Sequence, residues 1–154
     1  MLSLNEMTLG EKIGQLLMVG FQGTDLNRDV QQLIQKLSVG GIILFGRNGS
    51  SSFGEVGRLC ADLQGLALRG RFSLPLFIAV DQEGGRVARL QPPFTVPPAA
   101  ARLGEAHSAE EVYSWYARVA KELKEVGINM NLAPVLDIYT NPTNPMKSFA
   151  CPNL

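Results

Sequence analysis

The sequence predicts an α/β fold, specifically the N-terminal half of a TIM-type (β/α)8 barrel with parallel strands. Three observations carry this expectation. Four short runs are apolar along their whole length, as strands buried on both faces are. Segments of helical period separate them. Each run stops at a polar or glycine-rich stretch, where a barrel keeps its functional groups.

The elements follow in order. Thr8 and Glu11 have the spacing of a capping box, and Ile13, Leu16 and Leu17 form one apolar face, so a short helix is expected to start near Leu9. Residues 18–21 make the first strand, bracketed by Gly20 and Gly23. Val30, Leu33, Ile34 and Leu37 give a helical face closed by Gly40, and residues 42–45 form the second strand. Val56, Leu59, Cys60 and Leu63 mark the next helix, and residues 76–80 the third strand, which stops at Asp81. Ser108 and Glu111 make a second capping box. Val112, Trp115, Tyr116, Val119, Leu123 and Val126 then form a helical stripe, Gly127 is placed as its C-terminal cap, and residues 130–136 form the fourth strand.

Helices alternating with buried strands also suit a doubly wound sheet. That alternative needs a glycine fingerprint after the first strand, and Gly20-Phe21-Gln22-Gly23 lacks its spacing. In the barrel, Gly46-Arg47-Asn48, Asp81-Gln82-Glu83 and Asp137 all fall at C-terminal strand ends. A complete barrel takes roughly 250 residues. Residues 1–154 are therefore expected to be one partial barrel domain of about four βα units.

Composition narrows the partner. With 14 basic and 14 acidic side chains the formal net charge is zero, so no one-signed field attracts nucleic acid or an anionic membrane. The first residues carry neither the basic start nor the small-residue cleavage site of a secretory leader, and no run approaches the roughly 18 apolar residues that span a bilayer. Cys60 and Cys151 form neither a disulfide framework nor a metal-ligand spacing. A cytoplasmic protein with a neutral, polyhydroxylated or small-molecule partner is expected.

The informative stretch is Asp81-Gln82-Glu83-Gly84-Gly85-Arg86-Val87. A carboxylate ending a buried strand costs several kcal/mol unless it is paired or faces water. Asp81 therefore either points into a polar cavity, where it can accept from two neighbouring sugar hydroxyls, or pairs with Arg86 to fix the loop; both readings stand together. Gly84-Gly85 allows close backbone approach or positive φ. Glu83 and Arg86 are candidate supports of the same loop. Asp137 either faces the pocket or holds the Asn141 loop. His107 reads as a solvated loop residue, Cys60 as core, Cys151 as an unactivated thiol, and Trp115 and Tyr116 as core.

Asp81-Gln82-Glu83-Gly84-Gly85-Arg86-Val87 resembles the D-Q-E-G-G-R-V segment of glycoside hydrolase family 3, in its bacterial β-N-acetylhexosaminidase branch. The opening MTLGEKIGQL and the Gly127–Asp137 stretch GINMNLAPVLD are similar to two further family segments, in the same order. The resemblance implies that Asp81 binds the non-reducing sugar through its hydroxyls. It also places Lys147 of Asn141-Pro142-Thr143-Asn144-Pro145-Met146-Lys147-Ser148-Phe149 where the family has a sugar-binding arginine. Lysine keeps the charge but lacks the planar fork that grips two acceptors at once.

The resemblance further implies retaining hydrolysis of terminal β-linked N-acetylglucosamine from cell-wall or chitin-derived oligosaccharides, a carbohydrate partner, and no metal or organic cofactor. The acid/base histidine and the nucleophilic aspartate of that chemistry are expected beyond Leu154, so the chain alone is expected to be an inactive, truncated portion. The rival expectation is a non-catalytic product or carbohydrate-binding remnant. Four strands of eight also leave two open sheet edges, through which self-association is expected.

Overall fold

The computed structural model describes residues 4–49, 51–106 and 108–136. A 3-10 turn at Leu4–Glu6 precedes helix α1 (Leu9–Gln15), whose capping box forms as expected: Glu11 N donates to Thr8 Oγ1, and Thr8 N donates to the Glu11 carboxylate. The apolar face assigned to this helix is not buried. Ile13 is 50%, Leu16 86% and Leu17 47% exposed. What meets the rest of the fold is Gly14, where a Cβ would lie 1.9 Å from the Leu37 carbonyl oxygen. The helix packs by backbone contact, which leaves its leucine stripe facing outward.

Strand β1 (Met18–Val19) is shorter than expected, although Phe21 beyond it is buried. Helix α2 (Arg28–Gln35) is capped by Asn27, whose Oδ1 accepts from Asp29 N and Val30 N. It buries Val30 and Ile34 and ends at Lys36, with Leu37 already 56% exposed. The chain reverses at Ser38 (φ 52°), so the expected closure at Gly40 belongs to the loop before strand β2 (Gly41–Leu44). Helix α3 (Phe53–Leu68) starts at Ser52 and buries Val56, Leu59, Cys60 and Leu63, the predicted face.

Strand β3 (Phe77–Val80) is the centre of the fold: Ile78, Ala79 and Val80 are fully buried. It is followed by two elements that periodicity missed, a hairpin of β4 (Gln82–Gly84) with β5 (Val87–Ala88), and the short helix α4 (Ala100–Ala106). Helix α5 (Ala109–Glu125) carries the second predicted capping box, and Gly127 follows its end at φ 84°. Of its stripe, Val119, Leu123 and Val126 are buried, while Val112, Trp115 and Tyr116 are half-buried. Strand β6 (Met130–Asn131) covers only the start of the fourth strand expected over 130–136; residues 132–136 form no strand.

The main sheet runs β1-β2-β3-β6 and every neighbouring pair is parallel. Ile42 pairs with Ile78 and Val80 with Asn131. Asparagine side chains reinforce the last pairing. Asn129 Oδ1 accepts from Ile78 N while its Nδ2 donates to Leu76 O, and Asn131 Oδ1 accepts from Gln82 N. One core joins Ile42, Ile78 and Val80 of the sheet to Val30, Leu59, Leu63 and Val119 of the helices. Each such side chain contributes roughly 1.5–3 kcal/mol on burial.

Candidate active site

Because all four strands are parallel, their C-terminal ends lie on one side. Phe21 follows β1, Phe45 and Arg47 follow β2, and Asp81 follows β3. The loops there are tied together by Asn48, which is 2% exposed. Its Nδ2 donates to Phe21 O and Gly23 O, and its Oδ1 accepts from Phe45 N. Asn48 thus satisfies buried backbone groups of two loops, a tether rather than a ligand group. Arg47 is exposed, donates through Nε to Phe21 O at 3.0 Å, and stacks on Phe45 with its guanidinium carbon 4.4 Å from the ring centroid.

Asp81 ends β3 with its side chain 20% exposed. Its cationic partner is Arg89, at 3.2 Å, and not Arg86. The hairpin explains the correction. Gly84 pairs with Val87, which makes Gly85 and Arg86 the turn and turns Arg86 out to solvent; Gln82 pairs with Ala88, which brings the next residue, Arg89, beside Asp81. Arg86 therefore does not support the loop by pairing with Asp81. Gly84 and Gly85 both take positive φ, and the close approach they permit is to the 97–99 segment: Gly85 N donates to Pro97 O, and a Cβ on Gly84 would lie 2.6 Å from the same oxygen.

Gln82 fastens this hairpin from inside. It is 1% exposed, donates through Nε2 to Leu90 O and Thr95 O, and accepts at Oε1 from Leu90 N. Glu83 is half-buried, and its carboxyl is pushed above the ordinary glutamate range, first by burial and then by the Asp81 charge, with Arg89 pulling the other way. Tyr116 of α5 donates its hydroxyl to Glu83 O at 2.9 Å. This bond ties α5 to the loop backbone at Glu83. Tyr116 serves the strand ends rather than being plain core.

Sequence reasoning missed Arg89, Tyr116 and Gln82. The glycine pair after a strand was the available signal for the first and third, since it marks a hairpin whose register places Arg89. Asp137, Lys147, His107 and Cys151 lie outside the described residues. Cys60 is buried, and desolvation raises its thiol to about 12, which makes it inert. Among the described residues no group of three His, Cys, Asp or Glu side chains is placed to hold a metal, and no helix is long and apolar enough to cross a membrane. An open hollow of about 430 Å³ along α5, lined by Glu110, Trp115 and Arg118, is away from the strand ends.

Comparison with known proteins places this arrangement. A glycoside hydrolase family 3 β-N-acetylglucosaminidase from Paenibacillus sp. superposes with a TM-score of 0.85 at 45% identity, over 91% of this chain and 26% of that one. A β-N-acetylhexosaminidase from Beutenbergia cavernae does so with a TM-score of 0.78 at 30% identity, over 89% and 40% respectively. Both likenesses bear out the expected partial barrel. Among curated relatives, a β-hexosaminidase of Photobacterium profundum is 39% identical over 123 residues, covering 79% of this chain and 35% of the relative. β-Hexosaminidase A of Pseudoalteromonas piscicida is 32% identical over 91% of this chain and 27% of the relative. The chain thus spans about a third or less of the length of these relatives. Residues 8–150 match the glycosyl hydrolase family 3 N-terminal domain, and the chain belongs to that family.

Proposed function

We propose that this chain forms the sugar-gripping portion of a retaining β-N-acetylhexosaminidase acting on terminal β-linked N-acetylglucosamine of cell-wall or chitin-derived oligosaccharides. The observation that carries the reading is Asp81, a carboxylate fixed by Arg89 at the C-terminal end of the central strand of a parallel sheet. That is where a barrel binds substrate. The names of the relatives supply the sugar class. In this reading Lys147 completes the grip, Glu83 and Asp137 support the loops that carry it, the protein works in the cytoplasm, and the chemistry uses no metal or organic cofactor.

Retaining hydrolysis needs one carboxylate to form the glycosyl-enzyme and an acid to protonate the leaving oxygen. No residue of this chain takes either role in the proposal, so the 154 residues alone bind sugar without turning it over. Equilibrium dialysis with labelled N-acetylglucosamine tests this. Binding by the chain that is lost in Asp81→Asn supports the reading; binding indifferent to Asp81→Asn contradicts it.

A further inference from the structure

We propose that Asn48-Gly49 is a modification site: a deamidation point that the folded strand ends hold closed, and whose conversion irreversibly releases the loops after β1 and β2. The proposal stands on the amide chemistry and the packing of Asn48, and it does not depend on the sugar-binding reading.

The reaction needs only water. The Gly49 backbone nitrogen attacks Cγ of Asn48, and the new C–N bond closes a five-membered imide. The Cγ–Nδ2 bond breaks, and Nδ2 takes up the proton that Gly49 N gives up and leaves as ammonia. Water then opens the imide, giving aspartate where it attacks Cγ, or isoaspartate, with an extra backbone methylene, where it attacks the main-chain carbonyl. A side chain on the following residue obstructs the first attack, and Asn48 is the only asparagine of the sequence that glycine follows. Asn129 and Asn131 are also engaged in hydrogen bonds, but they precede Met130 and Leu132.

Three features keep the folded site from reacting. Asn48 ends a 3-10 turn over Gly46–Asn48, and ring closure requires Gly49 N to swing about the Asn48 Cα–C bond until it eclipses Cβ, away from 3-10 geometry. The side-chain amide is held at both ends: Nδ2 donates to Phe21 O at 3.2 Å and to Gly23 O at 2.8 Å, and Oδ1 accepts from Phe45 N at 2.9 Å. Burial also shuts the side chain off from the water that must open the imide. Glycine stands at 49 for its backbone, since φ is 95° and a Cβ would meet only Val56 Cγ2, at 4.0 Å. The turn that requires this glycine therefore arms the asparagine beside it. Conversion cannot be undone by refolding, because either product lacks the N–H groups that held Phe21 O and Gly23 O and sets a carboxylate against those oxygens in a buried place. Arg47 braces the same two loops, donating to Phe21 O and stacking on Phe45, and so sets how often the tether opens.

The test ages the dilute 154-residue chain and its Arg47→Ala variant at mildly alkaline pH, both folded and in urea. Peptide mapping by mass spectrometry follows each asparagine, and an isoaspartyl methyltransferase reports isoaspartate. In urea Asn48 should convert faster than every other asparagine. In the folded wild type it should convert at least about tenfold more slowly than in urea, because reaction waits on local opening. Arg47→Ala should speed conversion of the folded chain and leave the rate in urea unchanged. Converted chain, separated by its added negative charge, should exchange amide hydrogens faster at residues 21–23 and 45–46 than unconverted chain. An Asn48 that stays unconverted in urea overturns the site. Equal rates folded and in urea, or a folded Arg47→Ala chain that converts as slowly as wild type, overturn the guarding by the strand-end loops. Wild-type exchange in the converted chain overturns the irreversible release.

Discussion

Arg89 and Asp81 meet because Gln82 pairs with Ala88: one step outward along both arms of the hairpin sets the guanidinium 3.2 Å from the carboxylate. In a full-length family enzyme carrying this segment, Asp81→Ala is expected to reduce kcat/KM far more than Glu111→Ala. Asp81 offers an acceptor at the strand ends, whereas Glu111 caps α5 through Ser108 N. A lost charge-assisted bond to substrate is worth about 1.5–3 kcal/mol. Steady-state kinetics with an aryl β-N-acetylglucosaminide decides it, and equal values for wild type and Asp81→Ala remove Asp81 from the site.

Gln82→Leu is expected to be among the most destabilising changes in the hairpin. The substitution keeps the volume but leaves Leu90 N, Leu90 O and Thr95 O without the partner that Gln82 supplies. Each buried group left unpaired costs about 1–3 kcal/mol. Denaturant unfolding reads the loss; Gln82→Leu at wild-type stability would mean that those backbone groups find other partners.

How far the sequence discloses the site depends on which contacts are local. The apolar run ending in Asp81 announces a strand end, because no carboxylate belongs in that core. Its partner is not announced. Arg86 stands in the recognised heptapeptide and Arg89 does not, and only hairpin register separates the one in the turn from the one beside Asp81. Helical period likewise finds α3 and its buried face, yet for α1 it finds a stripe without saying whether anything covers it. Period reports which residues share a face. Packing partners come from elsewhere in the chain, and at α1 the contact is made by Gly14, which no hydrophobic pattern marks.

Glu83 gives a pH signature. Its folded-state pKa is raised, so the folded chain binds more protons than the unfolded one between the ordinary glutamate value and the raised value. Stability from this group is therefore fully present below that window and declines as pH rises through it. Glu83→Gln should flatten that decline and shift the midpoint little at low pH. Unfolding followed from acid to neutral pH checks the sign: a decline through the window that persists unchanged in Glu83→Gln assigns it to another group.

Tyr116→Phe removes one hydroxyl and its bond to Glu83 O, at a cost of about 0.5–1.5 kcal/mol. If Tyr116 steadies the strand-end loop, hydrogen exchange should quicken at residues 83–87 and remain unchanged at residues 53–68 in α3. Equal quickening in both segments would mark a general loss of stability instead.

The last expectation concerns the sheet edges. β1 and β6 each have one hydrogen-bonded neighbour among the described residues, so each presents unpaired N–H and C=O groups along its other side. Leu16 and Leu17 lie beside the first edge, and Leu132 and Leu136 follow the second, all between 44% and 86% exposed. A parallel edge with apolar flanks is a template for another strand, and among the described residues neither a proline within the strand nor an inward-pointing lysine guards either edge. Since β1 and β6 run in the same direction, the edge of one copy matches the opposite edge of another in parallel register. The 154-residue chain is therefore expected to self-associate with rising concentration. Lysines that replace Leu16 and Leu132 should oppose this by placing charge beside each edge. Sedimentation velocity over a hundredfold concentration range, on wild type and on the Leu16→Lys/Leu132→Lys chain, is the measurement. A wild-type monomer throughout that range, with a cooperative unfolding transition, would show that the two edges are closed in solution by some other means.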